Sequence, residues 1–432
     1  MTRYHSLSPE TFTALASGAG GPEAIDRLTE AQVSKHLLLI GHLLDNWPDD
    51  LPGRAEVTAT LERVRWAAPD RFREVIGAPL VGSWTGIATR AIEHGSAAPV
   101  DFQHLGALAV TACASAGIDG SADAPVYHGA IVLPGRGALE VPEAARAEAF
   151  VEGGHLRVRV WTPDGEETLD LAGEGWHPVR ALRAEAGGLA ITLGLDDVHP
   201  YRHGHHAPPA NRLPDAEVAL WQEAFARAWS LLAELVPARA GELAAGLRTL
   251  VPLVQEDART ARSATIRHAF GVFGLTLPPS PEEFAVTMVH EFQHSKLSAL
   301  LDLIPLTDPR HERRYFAPWR LDPRPLPGLL QGVYAFVGVA DTWRALRRAP
   351  GMAELAERRF VESRLQVDRG LRSIEESGAV TPAGARLIAE LRKTTDEMLA
   401  EVAPADLVRT AEDDLHRVHE AWRERNRATA SA

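Results

Sequence analysis

Apolar residues recur at a spacing near 3.6 through most of this chain, and at a spacing of two in one segment near its middle. Residues 1–120 are therefore expected to be helical. Ser8-Pro9-Glu10 reads as a helix start, with proline at the first turn, where its missing N–H is not needed. Helical spacing follows over 24–44, around 61–75, over 83–94 and from Gln103 onward. His36, His42 and His104 fall on these segments with nothing pairing them in sequence, so they read as packed or partly exposed histidines rather than ligands.

Residues 121–205 change character. Segments 126–133, 155–161 and 189–195 read as strands, separated by turns at Pro134-Gly135 and Asp164-Gly165. The alternation in HLRVRVW (155–161) implies one buried face, and a small antiparallel sheet attached to the rest of the molecule is expected. The run DDVHPYRHGHH (196–206) follows, with histidines at 199, 203, 205 and 206. It reads either as a metal tract or as an exposed connector, and its glycine and proline favour the connector.

Residues 206–432 are expected to be mostly helical. Trp221, Phe225 and Trp229 recur every four residues, an aromatic stripe of the kind that forms core. Segment 271–277 reads as a strand leading into a long helix that Pro305 and Pro309 end. Residues 308–325 read as a proline-stiffened loop carrying Arg310, Arg313, Arg314, Arg320 and Arg324 among three aromatics. Helices over 328–344 and 352–427 follow, the latter broken at Thr381-Pro382. The expected fold class is α+β, mainly helical, with a β-rich insert (121–205) between an N-terminal helical part (1–120) and a C-terminal helical part (206–432).

Composition removes several functional classes. Acidic residues outnumber basic ones by 58 to 45, for a net charge of −13, so the basic footprint of a general nucleic-acid or anionic-membrane binder is missing. Cys113 is the only cysteine, which rules out an intrachain disulfide and a multi-thiolate metal site. The start, MTRYHSLSPETF, lacks the charged-then-apolar pattern of an export signal, and no apolar run approaches the ~18 residues of a spanning helix, so a cytoplasmic location is expected.

The long helix contains His290-Glu291-Phe292-Gln293-His294. Histidines four apart lie on one helical face, where both imidazoles can grip one ion with Glu291 beside them. Composition alone would produce about 0.1 such matches. Ser280 is the expected N-cap, flanked by Pro279 and Pro281, with Glu282 and Glu283 in the first turn where the helix dipole favours them.

Two histidines and an acid support more than one reaction. With zinc, Glu291 is the general base of a metallopeptidase. The metzincin extension, however, would need glycine and histidine where Leu297 and Leu300 stand, and the other peptidase pattern leaves only Glu312, in the loop. The following helix offers Gln331, Tyr334 and Asp341 close to one face as third-ligand candidates. With iron(II), a 2-oxo acid such as 2-oxoglutarate would chelate the metal, and its distal carboxylate would need a cationic fork. Arg320 and Arg324, fixed among Pro318, Pro323 and Pro325, meet that need.

VTMVHEFQHSKLSALLDLIPL (286–306), the preceding SATIRHAFG (263–271), APWRLDPRPLPGLLQGVYAFVGVADTW (317–343), LSPETF (7–12), DVHPYR (197–202) and HEAWRERN (419–426) together resemble the HExxH-domain proteins of ribosomal peptide pathways. Those proteins are encoded beside, or fused to, radical-SAM peptide maturases. The resemblance implies an iron(II)- and 2-oxoglutarate-dependent hydroxylase of peptide side chains at β-carbons, with a ribosomal precursor peptide as substrate and a radical-SAM maturase as partner. It implies iron ligation by His290 and His294, co-substrate binding by Arg320 or Arg324, and a catalytic Glu291 that orients metal-bound water or a neighbouring ligand. One departure stands out: relatives place a histidine on the helix after the loop, where this chain has Gln331, Tyr334 and Phe336. The third ligand is then Tyr334, Gln331 or a more distant residue. A zinc peptidase and a catalytically weak precursor-peptide-binding protein remain the alternatives.

Overall fold

Proline placement sets many of the helix starts. Pro9, Pro69, Pro79, Pro99, Pro237, Pro281 and Pro382 each stand at the opening of a helix, where the ring pre-sets φ and the lost donor has no partner to lose. The structure, a computed structural model, describes residues 5–173, 175–203, 207–257 and 261–427. Among these the fold is α+β and mainly helical, with small sheets set between helical parts. The helix expected around 61–75 is two helices, Arg54–Ala67 and Pro69–Ile76. Ala68 precedes Pro69, and that neighbour pushes it out of helical backbone to φ −142° and ψ 67°.

The strand expected over 126–133 is a tight hairpin of Val126–Tyr127 and Ala130–Leu133. Its two turn residues, His128 and Gly129, both have positive φ, the backbone that matches strand twist in a two-residue loop. This hairpin continues into a four-stranded sheet with Gly137–Glu140 and Trp176–Pro178. A second four-stranded antiparallel sheet contains His155–Thr162, whose Val158 and Val160 are buried, as the alternation requires.

A five-stranded sheet runs Ser263–Thr265, Val272–Leu275, Thr249–Pro252, Leu189–Leu195, Arg180–Ala186. Thr249–Pro252 pairs in parallel with both neighbours, and this sheet takes strands from both sides of residue 205. The parallel pairing of Leu189–Leu195 with Thr249–Pro252 needs a long crossover, which helices Asp215–Leu235 and Pro237–Gly246 supply. Trp221, Phe225 and Trp229 bury their rings in the core shared with the HExxH helix, Trp221 and Phe225 both meeting Phe284.

Residues 314–325 are not a loop. Arg314–Ala317 and Arg320–Pro325 form an antiparallel hairpin with a register shift between Tyr315 and Ala317, and Pro323 and Pro325 are tolerated in it because both strands are edge strands. The start of the 196–206 run is not an exposed connector either. Asp196 accepts hydrogen bonds from the Val198 and His199 N–H groups, and buried Asp197 accepts from Arg180, Arg212 and the Leu213 N–H. His199 is buried and His203 exposed, while His205 and His206 lie outside the described residues. Among the described residues no helix is long and apolar enough to cross a membrane.

Three buried rings make the fold sensitive to acid. His36 reaches Ile76 O through Nδ1 at 2.8 Å, and His104 packs edge-on against Trp84 and His199. Burial pulls His36 down to about 4 and His104 to about 3, and holds His199 well below the ordinary imidazole range. Each is uncharged when folded and takes up a proton near pH 6.5 when unfolded. Stability therefore falls as pH drops below about 6.5, by up to about 1.4 kcal/mol per pH unit for each ring. The urea midpoint should decline between pH 7 and pH 5, and decline less steeply in His104→Gln; a midpoint flat over that range would contradict this account.

Candidate metal centre

Helix Pro281–Leu303 begins as its sequence requires. Ser280 is extended, and its hydroxyl accepts from the Glu283 N–H at 3.3 Å. One side of the helix goes into the core through Phe284, Met288 and Phe292. His290 and His294 emerge on another side with their Nε2 atoms 3.2 Å apart. Two nitrogens bound to one ion at about 2.0–2.1 Å with a near-tetrahedral angle stand about 3.3 Å apart. The pair is therefore spaced as two ligands of a single ion.

A second layer fixes one ring. Gln331, on helix Leu326–Leu346, donates from Nε2 to Ser298 Oγ at 3.2 Å, which turns its Oε1 toward His294 Nδ1 at 3.1 Å. Nδ1 then carries the proton and donates, leaving the Nε2 lone pair toward His290. His290 stands edge-on to Phe336 at 5.5 Å, and Trp319 from the hairpin stacks on Phe336 at 4.6 Å. Trp319 reaches this place only over Gly332, where an added Cβ would lie 2.1 Å from the indole. Burial, with His294 alongside, pulls His290 down to about 4, so it is the neutral ring that a metal ligand must be.

Glu291 is buried beside the pair. Its Oε1 accepts from Ser263 Oγ at 2.7 Å and its Oε2 from Thr265 Oγ1 at 2.5 Å, both on the edge strand Ser263–Thr265. Its Oε1 lies 3.8 Å from His290 Nε2. Two imidazoles and one carboxylate thus converge, the donor types of a non-heme iron or a zinc site. Among the described residues no group of three His, Cys, Asp or Glu side chains is placed to hold a metal ion.

The third-ligand candidates separate clearly. Gln331 is at the site, but as the partner of His294 Nδ1. Tyr334 is fully buried and donates to Leu15 O at 2.7 Å, with burial raising its pKa far above the usual phenol value. Asp341 accepts from Arg239 Nε at 3.0 Å, in a separate buried charge cluster. Glu312 is exposed ahead of the hairpin. Arg320 and Arg324 both bind Asp322, at 2.7 and 3.3 Å, and together hold its carboxyl below the usual range despite its slight burial. Arg324 also lies over Gly328, one turn before Gln331.

Ser263, Thr265, Ser298, Trp319 and Phe336 belong to this centre and were not singled out as site residues from sequence. Only Ser298 carried a local signal, standing one turn after His294. No protein-family model matches the chain, and no curated protein matches it. Gln331→Ala removes the acceptor that fixes the His294 tautomer, and should weaken divalent-metal affinity by about 10- to 100-fold. Cobalt(II) titration followed by absorbance checks this, and an unchanged affinity would remove Gln331 from the centre.

Proposed function

We propose that the chain is an iron(II)- and 2-oxoglutarate-dependent hydroxylase acting on β-carbons of a ribosomally made precursor peptide, in a pathway shared with a radical-SAM maturase. The observation that carries the reading is the convergence of the His290 and His294 nitrogens, 3.2 Å apart, beside the Glu291 carboxylate. The resemblance of the joined motif and hairpin to the HExxH-domain proteins supports the substrate class. Iron(II), when bound, supplies the redox chemistry that couples decarboxylation of the 2-oxo acid to oxygen insertion.

The residues of the chain do the remaining work. His290 and His294 hold the ion, and Gln331 presents His294 in the right tautomer. Glu291 is held still by two hydroxyls, which suits it to orienting a ligand. Arg320 and Arg324 receive the distal carboxylate of 2-oxoglutarate in exchange for Asp322, which holds them in place until then. Phe336 and Trp319 form an apolar wall beside His290 that keeps water out.

Protein purified without oxygen, loaded with iron(II) and given 2-oxoglutarate, oxygen and the precursor peptide should release succinate and add one oxygen atom to the peptide. His290→Ala should abolish both, and Arg324→Ala should raise the KM for 2-oxoglutarate by at least about tenfold, as expected for loss of a charge-assisted pair. Zinc-dependent peptide cleavage without oxygen consumption would replace this reading with the peptidase, and unmodified but tightly bound peptide would replace it with a recognition protein.

A further inference from the structure

A groove of about 1400 Å³ is lined by neither His290 nor His294. It runs between helices Gly21–Asp45, Arg54–Ala67 and Pro69–Ile76 on one side and Arg136, Gly246 and Arg248 on the other. Phe270 lines it too and rests on Phe292 at 5.8 Å, so the groove lies behind the HExxH helix. Its volume exceeds the roughly 300–1,000 Å³ of ordinary small-molecule sites.

Its charges are unbalanced in a specific way. Each carboxylate lining it has an arginine partner at the surface: Glu30 with Arg27 at 3.0 Å, Asp70 with Arg73 at 2.8 Å and Glu74 with Arg71 at 2.8 Å. Three lining arginines, Arg65, Arg136 and Arg248, have no carboxylate within ion-pair distance among the described residues. Arg136 reaches only the Ser115 hydroxyl, at 3.1 Å, and its buried Nε has no partner. Arg248 donates to backbone carbonyls such as Ala244 O and Leu247 O. Trp66, beside Arg65 on the same helix, is 85% exposed and also lines the groove. In a chain of net charge −13, three guanidiniums outside any close ion pair and an uncovered indole are collected in one groove. Arginine and tryptophan are the residues that carry most binding energy at interfaces.

We propose that this groove docks an extended segment of a partner polypeptide that carries several carboxylates and at least one apolar side chain. Its carboxylates pair with Arg65, Arg136 and Arg248, and its apolar side chain covers Trp66. The assignment is independent of the chemistry at the metal centre.

Fluorescence anisotropy on the full-length protein tests it, with a labelled peptide alternating glutamate and leucine, the same peptide with lysine for glutamate, and a single-stranded oligonucleotide. The acidic peptide should bind, more weakly as salt rises, and the lysine peptide should not. Arg136→Glu and Arg65→Glu should each weaken binding by at least about tenfold. Arg65 is exposed, so that second variant tests the groove even if Arg136→Glu perturbs folding. His290→Ala should leave binding unchanged. Equal binding of the acidic and lysine peptides, no loss in either arginine variant, oligonucleotide binding in place of peptide binding, or no binding of any probe would each overturn the proposal.

Discussion

Lys296 has no exposed surface, and an ammonium group in that position costs several kcal/mol unless its donors are all met. They are met by Glu242 at 2.7 Å, Ala19 O at 2.8 Å and Gly18 O at 3.4 Å. Arg239 and Gln293 also donate to Gly18 O. Burial pulls the Lys296 ammonium down to about 8, while Lys296 and Arg239 outweigh burial at Glu242 and keep it ionised. This cluster ties the loop between the first two helices to the flank of the HExxH helix, three residues from one gripping side chain to the next. Glu291, held by Ser263 and Thr265, secures the other flank, and Phe292 lies in the core at the back. Held on three sides, the helix presents His290 and His294 toward the following helix, where Gln331 and Phe336 meet their rings.

The fourth side is closed by the following helix. Gly338 lets it approach closely enough that an added Cβ would lie 2.7 Å from the Gln293 side chain, and Gly332 gives Trp319 its place. These two glycines determine how near Gln331 and Phe336 come to the histidines. The hairpin bearing Arg320 and Arg324 is held in turn from outside, where Phe316 meets His419 and Trp422 of the last helix. Residues far apart in the chain thus act as one support for the same centre.

Both proposed sites use opposite sides of that single helix. The histidines face the hairpin, while Phe292 supports the floor of the large groove through Phe270. The division has an electrostatic logic. The hairpin holds its charges in closed pairs, Asp322 with Arg320 and Arg324, whereas Arg65, Arg136 and Arg248 in the groove have no ion-pair partner among the described residues.

The sequence by itself determined the local features. The prolines at helix starts, the Ser280 cap and the four-residue separation of His290 and His294 act within a turn or two of backbone and hold as read, while the 3.6-residue spacing found the helices but not the break at Ala68-Pro69. The aromatic stripe at Trp221, Phe225 and Trp229 was legible as core for the same reason. Tertiary structure decided the rest. Whether Tyr334, Asp341 or Gln331 reaches the histidines depends on how one helix is turned against another, and that is set by Gly332, Gly338 and the buried Lys296 cluster. Tyr334 and Asp341 were drawn off to Leu15 O and Arg239, partners more than a hundred residues away in sequence. The parallel pairing of Thr249–Pro252, the hairpin made from the arginine-rich segment and the burial of His199 likewise come from long-range contacts, which no periodicity in a single stretch of chain records.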